Sequence, residues 1–273
     1  MKQENYSGLN KAFSSQVRIE KRDGKEIIIK QINAQESQSE VFFHDQLKSI
    51  GLPAMEMALD SEGLAITFIP GAITLGDNET PELYKKLGHI LKKIHSITFD
   101  KPFFLDANGQ QQEVAWDQFV KNRLEFAITR QKQRNGMSED ICNLIKKIVL
   151  KKVTIFSGKP ALLHGDLHSN NVLLKGSDLF VFDKAAQIMA GDPMYDLSLF
   201  AIALSGALYG VSDSIERDKL LMSAFISGYD TDFTEDKDLF NAYVLFRCVE
   251  RWPNPFEQEI PQIVESILLL NSA

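Results

Sequence analysis

The segment between His164 and Asp183 constrains this chain more than any other. Two short apolar, β-favouring runs, residues 172–174 and 179–182, are separated by Lys175, Gly176, Ser177 and Asp178, which together have turn chemistry. The spacing predicts a hairpin. Asn171 precedes its first strand and Asp183 follows its second, so antiparallel pairing brings both to the open end. Asp166 lies on the loop that enters that end. Three oxygen-bearing side chains thus converge on one small volume. Oxygen ligands of this kind suit Mg²⁺, which is shared among one or two protein groups, waters and substrate phosphates.

Taken singly, each of these residues reads as turn punctuation at a strand end. Together, flanking one hairpin, they read as a site. A second chemistry is open on the same segment. His164, Asp166 and His168 alternate, which on an extended backbone puts all three on one side, where they could ligate zinc in a zinc-dependent hydrolase. The remaining histidines, at 44, 89 and 95, are scattered and complete no such site.

The run from His164 to Leu174, Asp183, and the later Gly191-Asp192-Pro193-Met194-Tyr195-Asp196-Leu197 resemble the aminoglycoside phosphotransferase and choline kinase family, which are protein-kinase-like small-molecule kinases. The resemblance implies an α+β, bilobal, protein-kinase-like fold. A small β-rich N-lobe would cover residues 1–69 and bind nucleotide. A larger, mainly helical C-lobe would cover residues 70–273 and carry catalysis and substrate binding. It implies an ATP- and Mg²⁺-dependent transfer of the γ-phosphate to a hydroxyl of a small molecule: an aminoglycoside, an amino alcohol such as choline, or a sugar-like metabolite. Asp166 would be catalytic, meeting the acceptor hydroxyl, and Asn171 and Asp183 would hold the metal. A nucleotide-binding pseudokinase without turnover is the alternative within the same fold. Protein kinases follow the metal-binding aspartate with Phe-Gly, and Lys184-Ala185 stands here instead. The family itself usually places an aromatic residue and then an acid there. Lys184 departs from that pattern, either altering nucleotide contacts or pointing to solvent.

The N-terminal part reads as strands. Residues 17–21 and 25–31 flank Arg22-Asp23-Gly24, an Asp-Gly hairpin signal. Asn33 is a good N-cap with Glu36 at N3, and Gly51 with Pro53 stops the helix that follows. A lysine closing a strand is ordinarily solvated. The resemblance instead makes Lys30 the cation over the nucleotide phosphates. Glu40 lies one turn into the helix, on the face of His44 and Leu47, and is favoured as the partner of Lys30. Glu36, already explained by capping, is the alternative. Residues 64–69 read as a strand broken by Pro70-Gly71. Matched to the family's hinge, this strand makes Ile66 the gatekeeper, with the Thr67 carbonyl and the Ile69 amide facing adenine. The loop 7–14 has a single glycine and is the candidate phosphate cover.

From Pro81 the pattern is helical, with further helices over 116–130, 140–149, 220–228, 239–252 and 260–270 and a buried helix over 197–211. His95 reads as a packing or capping residue. Asp230, Asp232, Glu235, Asp236 and Asp238 read as a solvated, capping-rich loop, or else as a recognition surface for a cationic acceptor. Arg247, Glu250, Arg251 and Trp252 read first as packing. The 273 residues carry a formal net charge of −7, which argues against nucleic-acid binding. No run is long and apolar enough for a membrane helix, and residues 1–10 lack a signal-peptide core. Cys142 and Cys248 form no metal pattern and read as reduced thiols of a cytoplasmic protein. The oligomeric state is left open.

Overall fold

The structure is a computed structural model that describes residues 17–134, 136–185, 188–212, 214–252 and 259–270. The candidate phosphate-covering loop 7–14 lies outside the described residues. Along the chain come β1 (Val17–Arg22), β2 (Lys25–Lys30), α1 (Ala34–Ser49), β3 (Met57–Asp60), β4 (Gly63–Thr67), β5 (Ile73–Thr74) and α2 (Pro81–His95). Next are β6 (Phe103–Leu105), β7 (Gln111–Glu113), α3 (Trp116–Gln133), α4 (Glu139–Lys152), β8 (Ala161–Leu162), β9 (Val172–Lys175), β10 (Asp178–Val181) and β11 (Ala190–Gly191). The chain closes with α5 (Met194–Ala203), α6 (Ser205–Tyr209), α7 (Ile215–Tyr229), α8 (Lys237–Arg251) and α9 (Ile260–Leu270). Among the described residues, no helix is long and apolar enough to cross a membrane.

Two compact units emerge. The first comprises the described residues of Met1–Leu83, Phe103–Glu113 and His164–Met189. Its main sheet is antiparallel, in the order β1-β2-β4-β3. Asp23 and Gly24 both take positive φ, +51° and +78°, the mirror-image turn whose twist suits a two-residue hairpin. A second sheet runs β10-β9-β5. Its core is one apolar cluster in which Ile28, Met55, Leu64 and Ile66 meet Leu173 and Phe182. Helix α1 starts where capping places it: the Asn33 side chain accepts the Glu36 N–H at 2.9 Å. The helix is tied to β6 by Gln35, which donates to the Leu105 carbonyl at 2.7 Å, and by the edge-on rings of Phe42 and Phe103.

The second unit, Tyr84–Pro102, Val114–Leu163 and the described residues of Ala190–Ala273, is helical. Helix α8 is its axis, buried nearly continuously from Ala242 to Glu250, with α3, α4 and α5 packed on it. The chain crosses from α5 to α6 with a break that the apolar run 197–211 does not announce. The single helix expected there is interrupted at Leu204, which leaves helical backbone at φ −119° and ψ 46°. The reason lies two residues on: the Gly206 N–H donates to Asp218 Oδ2 of α7 at 3.1 Å. A Cβ on Gly206 would stand 2.7 Å from the same oxygen. Strand β3 went unread because Met57–Asp60 is largely exposed and short, and β4 ends at Thr67, two residues before the expected limit.

Helix α1 also buries a neutral imidazole. His44 Nδ1 accepts the Met55 N–H at 3.1 Å. Burial, reinforced by the charges of His164, Lys48 and Lys30, pushes its pKa down from 6.5 to about 3. Between those values the unfolded chain binds the extra proton. The stabilising contribution is therefore complete above the unfolded value and is lost as pH falls towards the folded one, at up to ~1.4 kcal/mol per pH unit. His44→Asn keeps an acceptor near the Met55 amide. It should flatten the pH dependence of the urea-unfolding free energy below about pH 6.5, and a slope equal to wild type would reject the assignment.

Candidate active site

The hairpin β9–β10 pairs Val172 with Val181. The ladder continues one step past it, with the Phe182 N–H donating to the Asn171 carbonyl at 3.1 Å. Asn171 and Asp183 thus sit at the hairpin's open end. Asn171 is almost fully buried, and its Nδ2 donates to the Asp166 carbonyl at 2.9 Å. That bond fixes the orientation of the amide and leaves Oδ1 as its acceptor atom. Asp183 has φ +57°, a left-handed conformation that costs an L residue about 1 kcal/mol and that Asp tolerates better than most. The chemistry of the set, one amide oxygen and one carboxylate, fits a hard divalent cation such as Mg²⁺.

Lys30 ends β2 and Glu40 lies in the second turn of α1, both nearly fully buried. The ammonium stands 3.0 Å from Glu40 Oε1 and also pairs with Asp183 Oδ1. Glu36 stays at the helix cap. Burial alone would lower the pKa of Lys30, but the negative charges of Glu40 and Asp183, and their hydrogen bonds, hold it above the ordinary value. For Glu40, burial wins and pushes the carboxyl up. The Lys30 charge opposes that shift, as does a backbone hydrogen bond from Lys184.

Asp166 keeps a partly exposed carboxylate, with His168 Nε2 3.9 Å away. His164 is wholly buried. Its Nε2 donates to the Phe182 carbonyl at 2.8 Å and its Nδ1 accepts the Asp166 N–H at 3.2 Å. Both ring nitrogens are therefore committed to backbone, and His164 has no lone pair left for zinc. Among the described residues, no group of three His, Cys, Asp or Glu is placed to hold a metal ion. The zinc reading of His164, Asp166 and His168 has no geometric support. The role of His164 as a brace was not legible in sequence, because its acceptor lies 18 residues away.

Ile66 is buried in β4 and Thr67 is the last residue of that strand. The Thr67 N–H donates to the Glu56 carbonyl at 2.9 Å, and the Ile69 carbonyl accepts the Ala72 N–H at 3.2 Å. The segment after them is anchored on the hairpin. β5 pairs with β9, and Lys175 Nζ donates to the Pro70 carbonyl. Gly71 sits at φ +69° directly over that ammonium.

In the second unit, His95 packs as expected, between the Tyr229 hydroxyl at 2.9 Å and Asp196 Oδ2 at 3.3 Å. Arg247 lies over the Tyr195 ring at 4.0 Å, and Glu250 accepts from Arg247, Arg123 and Tyr195. These residues form buried structure. The acidic run is engaged as well: Asp236 caps α8, Asp230 pairs with Lys92, Asp238 with Lys152, and Asp232 accepts from Thr234.

The sequence profile of a phosphotransferase enzyme family, abbreviated APH, matches residues 6–232. The chain belongs to this family. No curated protein matches the phosphotransferase in sequence. Solved structures similar to it include spectinomycin phosphotransferase APH(9)-Ia in complex with ADP and spectinomycin, at 17% identity and a TM-score of 0.57 over 94% of this chain and 89% of that one. A putative fructosamine-3-kinase from Thermobifida fusca superposes with a TM-score of 0.62 at 17% identity, over 95% and 94% of the two chains. A thermostable mutant of aminoglycoside phosphotransferase APH(4)-Ia, in a ternary complex with AMP-PNP and hygromycin B, gives a TM-score of 0.63 at 14% identity, over 94% and 93%. The phosphotransferase thus has the α+β, protein-kinase-like fold.

Breaking the buried pair tests its weight. Glu40→Ala should cost about 3 kcal/mol of stability in urea unfolding, because it removes one of the two carboxylates that compensate a buried ammonium. Glu40→Gln, which keeps an acceptor for Lys30, should cost less. A loss from Glu40→Ala below about 1 kcal/mol would place the pair among those without structural weight.

Proposed function

We propose that this phosphotransferase moves the γ-phosphate of ATP, with Mg²⁺, to a hydroxyl of a small molecule. The observation that carries the reading is the meeting of Lys30, Glu40 and Asp183 beside an Asn171 whose amide is fixed by the Asp166 carbonyl. Lys30 neutralises phosphate charge and Glu40 holds Lys30 in place. Asp166, the accessible carboxylate of the group, accepts a hydrogen bond from the acceptor hydroxyl and orients it in line with the phosphorus. Asn171 and Asp183 would hold the metal, which when bound would supply charge neutralisation for the phosphates. The Thr67 carbonyl and Ile69 amide are proposed to face adenine. Positioning and charge stabilisation account for the chemistry, since the phosphoryl transition state asks little covalent work of a protein.

The acceptor class is an aminoglycoside, an amino alcohol or a sugar-like metabolite. The solved relatives' names include spectinomycin, hygromycin B and fructosamine kinase, and these make aminoglycosides and glycated amines the first panel for ATP consumption. The acidic run by itself does not select among these acceptors, since Asp236 caps a helix and Asp230 and Asp238 pair with lysines.

Asp166→Asn should lower kcat by about 10³-fold while leaving the ATP affinity near wild type. Loss of nucleotide binding instead would make Asp166 a metal or structural residue. Asp183→Ala should abolish the gain in ADP affinity that Mg²⁺ confers, measured by calorimetry with and without the metal. An unchanged affinity in Mg²⁺ buffer sinks the metal role of Asp183.

A further inference from the structure

Lys184, the residue that departs from the family pattern, neither faces solvent nor reaches outward towards phosphates. Its side chain is buried, 4% exposed. The ammonium turns back on its own segment and donates to the Ile188 carbonyl at 2.9 Å and to the Ala185 carbonyl. A buried ammonium is retained only where acceptors compensate its desolvation, and here the acceptors are the Ala185 and Ile188 carbonyls. The segment is also held from outside. The backbone of Lys184 faces the Glu40 carboxylate. The Ala185 N–H donates to the His164 carbonyl at 3.0 Å. Gly165, at φ +80°, leaves room beside the Ala185 methyl: a Cβ there would stand 3.0 Å from it.

We propose that Lys184 is a positioning residue for Asp183. Its ammonium holds the Ala185 and Ile188 carbonyls and so restrains the backbone after Asp183, which keeps Asp183 in the left-handed conformation that presents its carboxylate beside Lys30. An L residue holds such a conformation only when its surroundings over-determine it. The side chain directly after Asp183 contributes from the C-terminal side, where its bonds restrain Ala185 and Ile188, while His164 holds the Phe182 carbonyl on the other side. Without the ammonium, the Ala185 and Ile188 carbonyls lose this donor and the backbone after Asp183 loses a restraint. The inference rests on the assignment of Asp183 to the metal–nucleotide site.

The test is ADP binding by calorimetry, with and without Mg²⁺, on wild type, Lys184→Met and Lys184→Gln. Lys184→Met keeps the length and loses the donors. It should weaken Mg²⁺-dependent ADP binding by about ten-fold or more, the size expected for losing a group that orients a metal ligand, while metal-free ADP binding stays near wild type. Lys184→Gln keeps one donor and should fall between. A merely structural role would lower the melting temperature of both variants and leave the gain from Mg²⁺ intact, and that result overturns the proposal. If Lys184→Met does not fold, Lys184→Gln decides by the same criterion. Wild-type protein that gains no ADP affinity from Mg²⁺ would overturn the site assignment itself. Wild type that gains it, beside variants that gain it equally, overturns only the role of Lys184.

Discussion

One buried ammonium ties together the three pieces of the first unit that matter most. Lys30 belongs to the end of β2, Glu40 to α1 and Asp183 to the end of the β9–β10 hairpin, and all three meet at Nζ. The charges do not balance: one cation stands between two carboxylates in a region from which water is largely excluded. Burial and pairing pull in opposite directions, and they win at different residues. Pairing prevails at Lys30, which has two anionic neighbours, and its pKa rises. Burial prevails at Glu40, which is the deepest of the three and is pushed up. A cluster with an excess of negative charge is stabilised by a further cation. This is the electrostatic reason for reading Asp183 as a metal ligand rather than only as a partner of Lys30.

The precision of this cluster comes from backbone rather than from side-chain packing. His164 spends both ring nitrogens on the main chain, one on Phe182 and one on Asp166, and its own carbonyl receives Ala185. Phe182 and Asp166 are therefore indexed to one imidazole, and Ala185 to the backbone of the same residue. Phe43 closes over that ring edge-on, with 5.4 Å between centroids, and so links the brace to α1, the helix that carries Glu40. A hydrogen-bonded imidazole in a dry site is a stiff reference point, because each lost bond would leave an unpaired group without water to replace it.

Much of this was legible in the sequence where the signal is local. The Asp-Gly turn, the Asn33 cap and the hairpin with its flanking Asn171 and Asp183 follow from residues a few positions apart, and the structure has all three. The choice of Glu40 over Glu36 needed only helical periodicity and the knowledge that Glu36 was already used at the cap. What could not be read depends on long separations. The His164 brace spans 18 residues and the Lys175 bond to Pro70 spans 105. Neither has a periodic or compositional trace. The break at Leu204 was hidden because its cause is Asp218 on another helix. The two-residue strands β5, β8 and β11 fall below the length at which alternation can be seen. Nor does a linear reading anticipate that the hairpin groups with the N-terminal elements in one compact unit.

Lys184 shows where a motif and the physical need behind it part company. A family pattern with an aromatic residue after the metal aspartate suggests a backbone held there by packing. A lysine at that position can hold it only by a different route, since its stem is apolar but its head must find acceptors. The acceptors are the Ala185 and Ile188 carbonyls, so the contact is made within a few residues and demands nothing of distant elements. That economy has a cost, because two hydrogen bonds from a desolvated ammonium have less tolerance for misplacement than a ring filling a cavity. In this chain the left-handed Asp183 therefore depends on polar geometry on both sides: Lys30 holds its carboxylate, and Lys184 holds the backbone that follows it.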